Sequence, residues 1–213
     1  MNAIDYQTIV TAFHQMSGWE IAAAMMGVAY ILLAAKTSQW CWLFAFLSTL
    51  VYTALFWEGQ LPMQALLNFY YMGMAIYGFW LWQQHGKQTE TLRISRWPWL
   101  WHVGFIAVGI VVSALVTAYL QKTGQSQSPM LDAYTTVFSV MNTWLIARKI
   151  LENWLYWVVV DGAATLLYVQ TGYYATAVLF VLNTILALVG FISWVKLYRQ
   201  QTMSMDNLVM QKG

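Results

Sequence analysis

The sequence predicts an all-α membrane protein of seven transmembrane helices. Three observations carry this. Of 213 residues, 60% are hydrophobic and 8% charged, against roughly 25% charged in a soluble domain. Apolar stretches of the length a bilayer crossing needs, about 20 residues, recur along the chain. Basic residues collect in alternate connecting segments, as the positive-inside rule requires.

The spans follow in order. Residues 1–17 read as a short amphipathic lead-in, with no basic region followed by an apolar core that would mark a signal peptide. The first span is 18–35, closed by Lys36, Thr37 and Ser38. The second is 40–57, closed by Glu58, Gly59 and Gln60. The third is 62–82 and starts at Pro62, a favourable first-turn residue. A polar loop, 85–96, leads to the fourth span, 97–120. The Gly/Ser/Gln-rich stretch 121–128 reads as a turn. The fifth and sixth spans, 129–147 and 151–169, carry polar residues and are separated by Arg148, Lys149 and their neighbours. The seventh is 173–197, and the polar tail 198–213 is expected to be poorly ordered.

With the N-terminus outside, the cytoplasmic segments receive Lys36, Lys87, Arg93, Arg96, Arg148, Lys149, Lys196, Arg199 and Lys212. Only Lys122 falls on the other side. A wrong span count would scramble this alternation, so it predicts an N-out, C-in orientation. Tryptophans and tyrosines near the span ends (Trp40, Trp57, Trp82, Trp97, Trp99, Tyr119, Tyr173, Tyr198) fit an aromatic belt.

The third span ends Gly78-Phe79-Trp80-Leu81-Trp82, and the seventh ends Gly190-Phe191-Ile192-Ser193-Trp194. The shared Gly-Phe-x-x-Trp recurs 112 residues apart. With a shift of one, Lys36 falls on Lys149 and Gly59 on Gly172. The pattern predicts two three-helix units, 18–84 and 129–197, joined by the linker span 97–120. An odd unit plus one linker keeps both units in one orientation. Such a 3+1+3 parallel repeat places a substrate site at the repeat interface near the midplane.

Asp161 is the most informative polar residue, because a charge at mid-membrane depth costs several kcal/mol and is usually turned inward for a function. Trp157 and Trp154 precede it by one and two turns, and Thr165 and Tyr168 extend the same stripe. A carboxylate among aromatic faces suits a cationic ring, or sugar hydroxyls. The plain alternative is an Asp that only binds neighbouring helices. Asn68 with Tyr71, and Asn183, stand at comparable depth in the third and seventh spans. Ser48, Thr49 and Tyr52 are the positional counterparts of the Asp161 region, and Asn142 and Trp144 in the fifth span are similar. Interhelical hydrogen bonding is the competing role for all of these. Glu20, Asp132, Glu152 and Asn153 lie near span ends, where local ion pairing with neighbours such as Arg148 and Lys149 is expected. His102 reads as a hydrogen-bonded structural residue, and Gly73, Ala75 and Gly78 as a close-packing face.

No His-Glu-x-x-His, Gly-x-Ser-x-Gly, metal-spaced Cys/His cluster or phosphate loop is present. A lone Cys41 makes no intrachain disulfide, and a net charge of +2 says nothing for nucleic acid. These absences point away from an enzyme or an ATP-driven pump, towards a passive carrier without a cofactor.

The motif Arg148-Lys149-x-x-Glu152-Asn153-Trp154-x-x-Trp157 resembles the PnuC family of vitamin-precursor transporters. Ile76-Tyr77-Gly78-x-x-x-Trp82 and Gly190-x-x-x-Trp194 resemble it too. The likeness extends over nearly the whole chain in span order and loop length. It implies two three-helix bundles about a linker helix, as in SWEET and SemiSWEET transporters. It also implies uptake of nicotinamide riboside across the bacterial inner membrane by facilitated diffusion. Trapping by a cytoplasmic kinase and a homotrimeric state come with the resemblance. The family includes thiamine transporters, and thiamine stays open as the solute. Where some riboside transporters carry Asn, this chain has Asp161, Ala75 and Val189; it offers Asn68 and Asn183 instead.

Overall fold

The computed structural model describes residues 11, 16–59, 62–87 and 92–210. These residues form seven α-helices: α1 Gly18–Ala35, α2 Cys41–Glu58, α3 Pro62–Lys87, α4 Trp99–Thr123, α5 Pro129–Ala147, α6 Asn153–Gln170 and α7 Tyr174–Met210. Four of them, α1, α2, α4 and α7, are long and apolar enough to cross a membrane by length and composition. The lead-in, apart from Thr11 and residues 16–17, and residues 88–91 of the 85–96 loop lie outside the described residues.

Local chemistry sets the boundaries. Ser17 and Glu20 form a capping box at the start of α1, each side chain bonded to the other's backbone N–H. Glu20 therefore serves as a cap and not in the ion pair expected for it. Pro62 opens α3 and Pro129 opens α5, where a missing N–H is harmless. Gly124, at φ 66, closes α4 in the left-handed region that glycine enters freely. The longest departure from expectation is α7, which continues through the polar tail to Met210. No Gly or Pro interrupts 198–210, and Gln201 accepts a hydrogen bond from the Ile94 backbone N–H at 3.2 Å.

Helices α1, α2 and α3 pack in sequence, as do α5, α6 and α7, and α4 packs on α5. Between the groups, α1 meets α7 and α3 meets α5. The buried core gathers near the α1–α2 and α5–α6 turns, around Ala34, Trp42, Trp82, Ile146, Trp154 and Trp194. There the Trp42 ring lies on Gly78, where a Cβ would sit 2.3 Å from it, and meets the Trp82 ring edge-on at 5.5 Å. The Trp154 ring lies on Gly190, where a Cβ would sit 2.6 Å from it, and meets Trp194 edge-on at 5.5 Å. Only glycine lets an indole approach a helix backbone this closely. Gly73, expected on the same packing face as Gly78, has nothing within 4 Å of an added Cβ.

Two Trp side chains join the groups. Trp82 donates its indole N–H to the Ala147 carbonyl at 2.9 Å, and Trp194 donates to the Ala34 carbonyl at 3.0 Å. Both acceptors lie in last turns, where helix carbonyls lack intrahelical partners. Ser193 adds a bond to Ala35 at 2.8 Å.

The segment 92–98 is tied to the same end. Ser95 and Ile150 form a parallel β-bridge. Arg96 Nε meets Glu152 Oε1 at 2.8 Å, and the other carboxylate oxygen accepts from the Trp97 N–H. Glu152 thus pairs with the linker, not with Arg148 or Lys149. Those two sit over rings instead: Arg148 over Trp144 at 5.2 Å and Lys149 over Trp82 at 4.3 Å. His102 Nδ1 shares a hydrogen bond with the Tyr156 hydroxyl at 2.9 Å, in keeping with a structural role.

Candidate functional site

Asp161 stands in the interior face of α6 and is 5% exposed. Among the described residues, no hydrogen bond or ion pair reaches its carboxylate. Its backbone carbonyl accepts from Thr165. Tyr71 of α3 lies near Asp161 and Tyr168. Tyr52 of α2 lies near Tyr168, and Tyr30 of α1 near Tyr71. One carboxylate and four phenols from α1, α2, α3 and α6 thus share a neighbourhood.

The other expected site residues divide. Trp157 is half-buried beside the core, one turn from Asp161. Asn183 is half-buried in α7. Tyr52 stacks on Phe56 at 5.8 Å. Trp154 is 2% exposed, with its ring taken up by Gly190 and Trp194. Ser48 is buried and gives its hydroxyl to the Ala23 carbonyl at 2.8 Å, tying α1 to α2. Asn68 donates to Gln64 within its own helix at 3.0 Å. Asn142 is fully buried and donates to the Asn153 carbonyl. The Trp154 ring and the Ser48 hydroxyl thus both have partners within the fold. Tyr30 joins this group without having been expected from the sequence, where its signal is a phenol in the middle of an apolar first span.

An aromatic helical membrane protein with one unpaired interior carboxylate defines a solute carrier better than any catalyst. The comparisons with known proteins agree. Residues 17–196 match the family described as nicotinamide mononucleotide transporter. The chain belongs to that family and is a membrane transporter of the PnuC type, not an enzyme. It is 24% identical over 213 residues to the nicotinamide riboside transporter PnuC of Escherichia coli, covering 88% of this chain and 89% of the relative. It is 27% identical over 201 residues to the riboflavin/roseoflavin transporter RibM of Streptomyces davaonensis, covering 91% and 92%. The crystal structure of the vitamin B3 transporter PnuC has the same fold, with a TM-score of 0.72 at 22% identity over 91% of this chain and 87% of that one.

Proposed function

We propose that the chain imports nicotinamide riboside across the bacterial inner membrane by facilitated diffusion, with Asp161 as the charged wall of its site. The observation that carries this is a buried carboxylate without a partner. Left alone in an apolar interior it costs several kcal/mol, and a fixed cation entering beside it offsets that cost. The pyridinium of nicotinamide riboside brings such a charge on a flat ring. Trp157 stacks on the ring, Tyr71 and Tyr52 bind ribose hydroxyls, and Asn183 binds the amide. Asn68, Ser48 and Trp154 hold the walls in place. The name of the Escherichia coli relative supports the riboside. Riboflavin, in the name of the Streptomyces relative, has no fixed positive charge for Asp161 to meet. Thiamine has one, and is the competing solute.

The units 18–84 and 129–197, joined by the linker 97–120, act as a parallel repeat that rocks to alternate access. The matched Trp-on-Gly seats and the reciprocal indole bonds support this division. The alternation of basic residues supports an N-out, C-in orientation. In that orientation the core closes the cytoplasmic side. The family resemblance supports a homotrimer and trapping of the solute by a cytoplasmic kinase.

Purified protein in liposomes tests the proposal. Riboside entry is expected to be accelerated, to fall in Asp161→Asn and Trp157→Ala with membrane insertion intact, and to be displaced weakly by thiamine. Wild-type entry in both variants removes the site assignment; stronger binding of thiamine transfers it to the other solute.

A further inference from the structure

Outside this site, α4 and α5 enclose a groove of about 510 Å³ lined by Trp97, Trp101, Gly104, Phe105, Val108 and Trp144. Its rim is exposed: Trp101 is 64% and Val108 56% accessible. The helical part of the lining runs from Leu100 to Val108, about 12 Å at 1.5 Å per residue, with Trp97 above it in the linker. One leaflet of a hydrocarbon core about 30 Å thick is about 15 Å deep. The groove therefore covers most of one leaflet.

Its surface end is cationic. The Arg148 guanidinium lies over the Trp144 ring that forms one wall, and no carboxylate pairs with it among the described residues. Arg96, next to Trp97, keeps a side chain 61% exposed while Glu152 holds its Nε. The carboxylate of Glu152 is thus engaged by Arg96 and the Trp97 N–H. Gly104 leaves the middle of the groove empty, with nothing within 4 Å of an added Cβ. Five residues on, a Cβ added at Gly109 would run into the Phe138 ring. The helices close at Gly109 and part at Gly104.

We propose that this groove holds one acyl chain of an anionic phospholipid, whose phosphate sits at Arg148. A basic pocket between transmembrane helices selects lipid by headgroup charge, and the apolar trough below it fits a chain and excludes water.

The test uses the full chain in phosphatidylcholine vesicles, with tryptophan fluorescence read as brominated lipid is added at low mole fraction. Brominated phosphatidylglycerol is expected to quench at about fivefold lower fraction than brominated phosphatidylcholine, the preference one basic residue near a headgroup supplies. Arg148→Gln is expected to erase that preference while total quenching persists. Gly104→Leu fills empty space without a clash, and is expected to lower quenching by the anionic lipid. Equal quenching by the two lipids in the wild type overturns the proposal, as does a preference that survives both variants. So does a disulfide between two copies through Leu100→Cys, which assigns the groove to a subunit contact.

Discussion

The indole N–H of Trp82 in α3 is bonded to the carbonyl of Ala147, the last residue of α5, at 2.9 Å. Trp194 in α7 makes the matching bond to Ala34 in the last turn of α1 at 3.0 Å. Each bond fastens one three-helix group to the first helix of the other. Cys41 is buried beside them and is the chain's single cysteine, so it reports on this junction. Trp82→Phe keeps a ring against Trp42 but leaves the Ala147 carbonyl without its donor. We expect a loss of about 1–3 kcal/mol and faster labelling of Cys41 by a membrane-permeant thiol reagent. Trp194→Phe should cost less, because the Ala34 carbonyl keeps the Thr37 N–H as a donor at 2.9 Å. Unchanged labelling in both would show that the bonds do not hold the junction shut.

Gly78→Ala and Gly190→Ala each drive a methyl into an indole, at 2.3 and 2.6 Å. Overpacking of this kind costs about 1–3 kcal/mol. Gly73→Ala meets open space and gains up to about 1 kcal/mol of helix propensity. Thermal unfolding followed by size-exclusion fluorescence should rank the three accordingly.

Asp161→Asn should separate stability from transport. Replacing a buried carboxyl that has no partner among the described residues should raise the unfolding midpoint of the empty protein, because the cost of ionising that group in an apolar interior disappears. The same change should cut riboside binding by about tenfold or more, the equivalent of 1.4 kcal/mol. Added riboside should stabilise the wild type and leave the variant nearly unmoved. A variant both less stable and fully active would identify Asp161 as a packing residue.

Lys149 lies in the turn between α5 and α6, outside the spans. Burial pulls its amine from an ordinary 10.5 down to about 8, with the Cys41 thiol acting the other way. The lowered value means that the folded state holds the charge less readily than the unfolded chain. That penalty is complete below about pH 8 and disappears between pH 8 and 10.5, where the unfolded chain binds more protons. The unfolding midpoint should therefore rise with pH across that window. Lys149→Gln should flatten its share of the rise; an unchanged slope would place the effect on another group.

The spans were legible because their ends carry strong punctuation. Pro62, Pro129, Lys36 and Gly124 mark turns in a chain that is otherwise almost uncharged. Asp161 was legible for the same reason, as a charge in an apolar run. The Gly-Phe-x-x-Trp endings were visible as a repeat of letters, but their physical use was not. Gly78 and Gly190 matter because Trp42 and Trp154 lie on them, and those rings come from the preceding helix, 36 residues earlier in each case. For that reason the sequence alone does not show that the Trp154 ring lies on Gly190 and against Trp194. The tail misled differently: polarity argued against order, yet helix continues where nothing breaks it and Gln201 has a partner in Ile94.

Helix α7 runs 37 residues without interruption, about 55 Å at 1.5 Å per residue. A bilayer core takes up only about 30 Å of that. The remainder is a stiff rod that stands clear of the lipid. A helical partner fused in phase after Met210 would inherit its direction, giving a small and nearly featureless particle a rigid fiducial for electron microscopy.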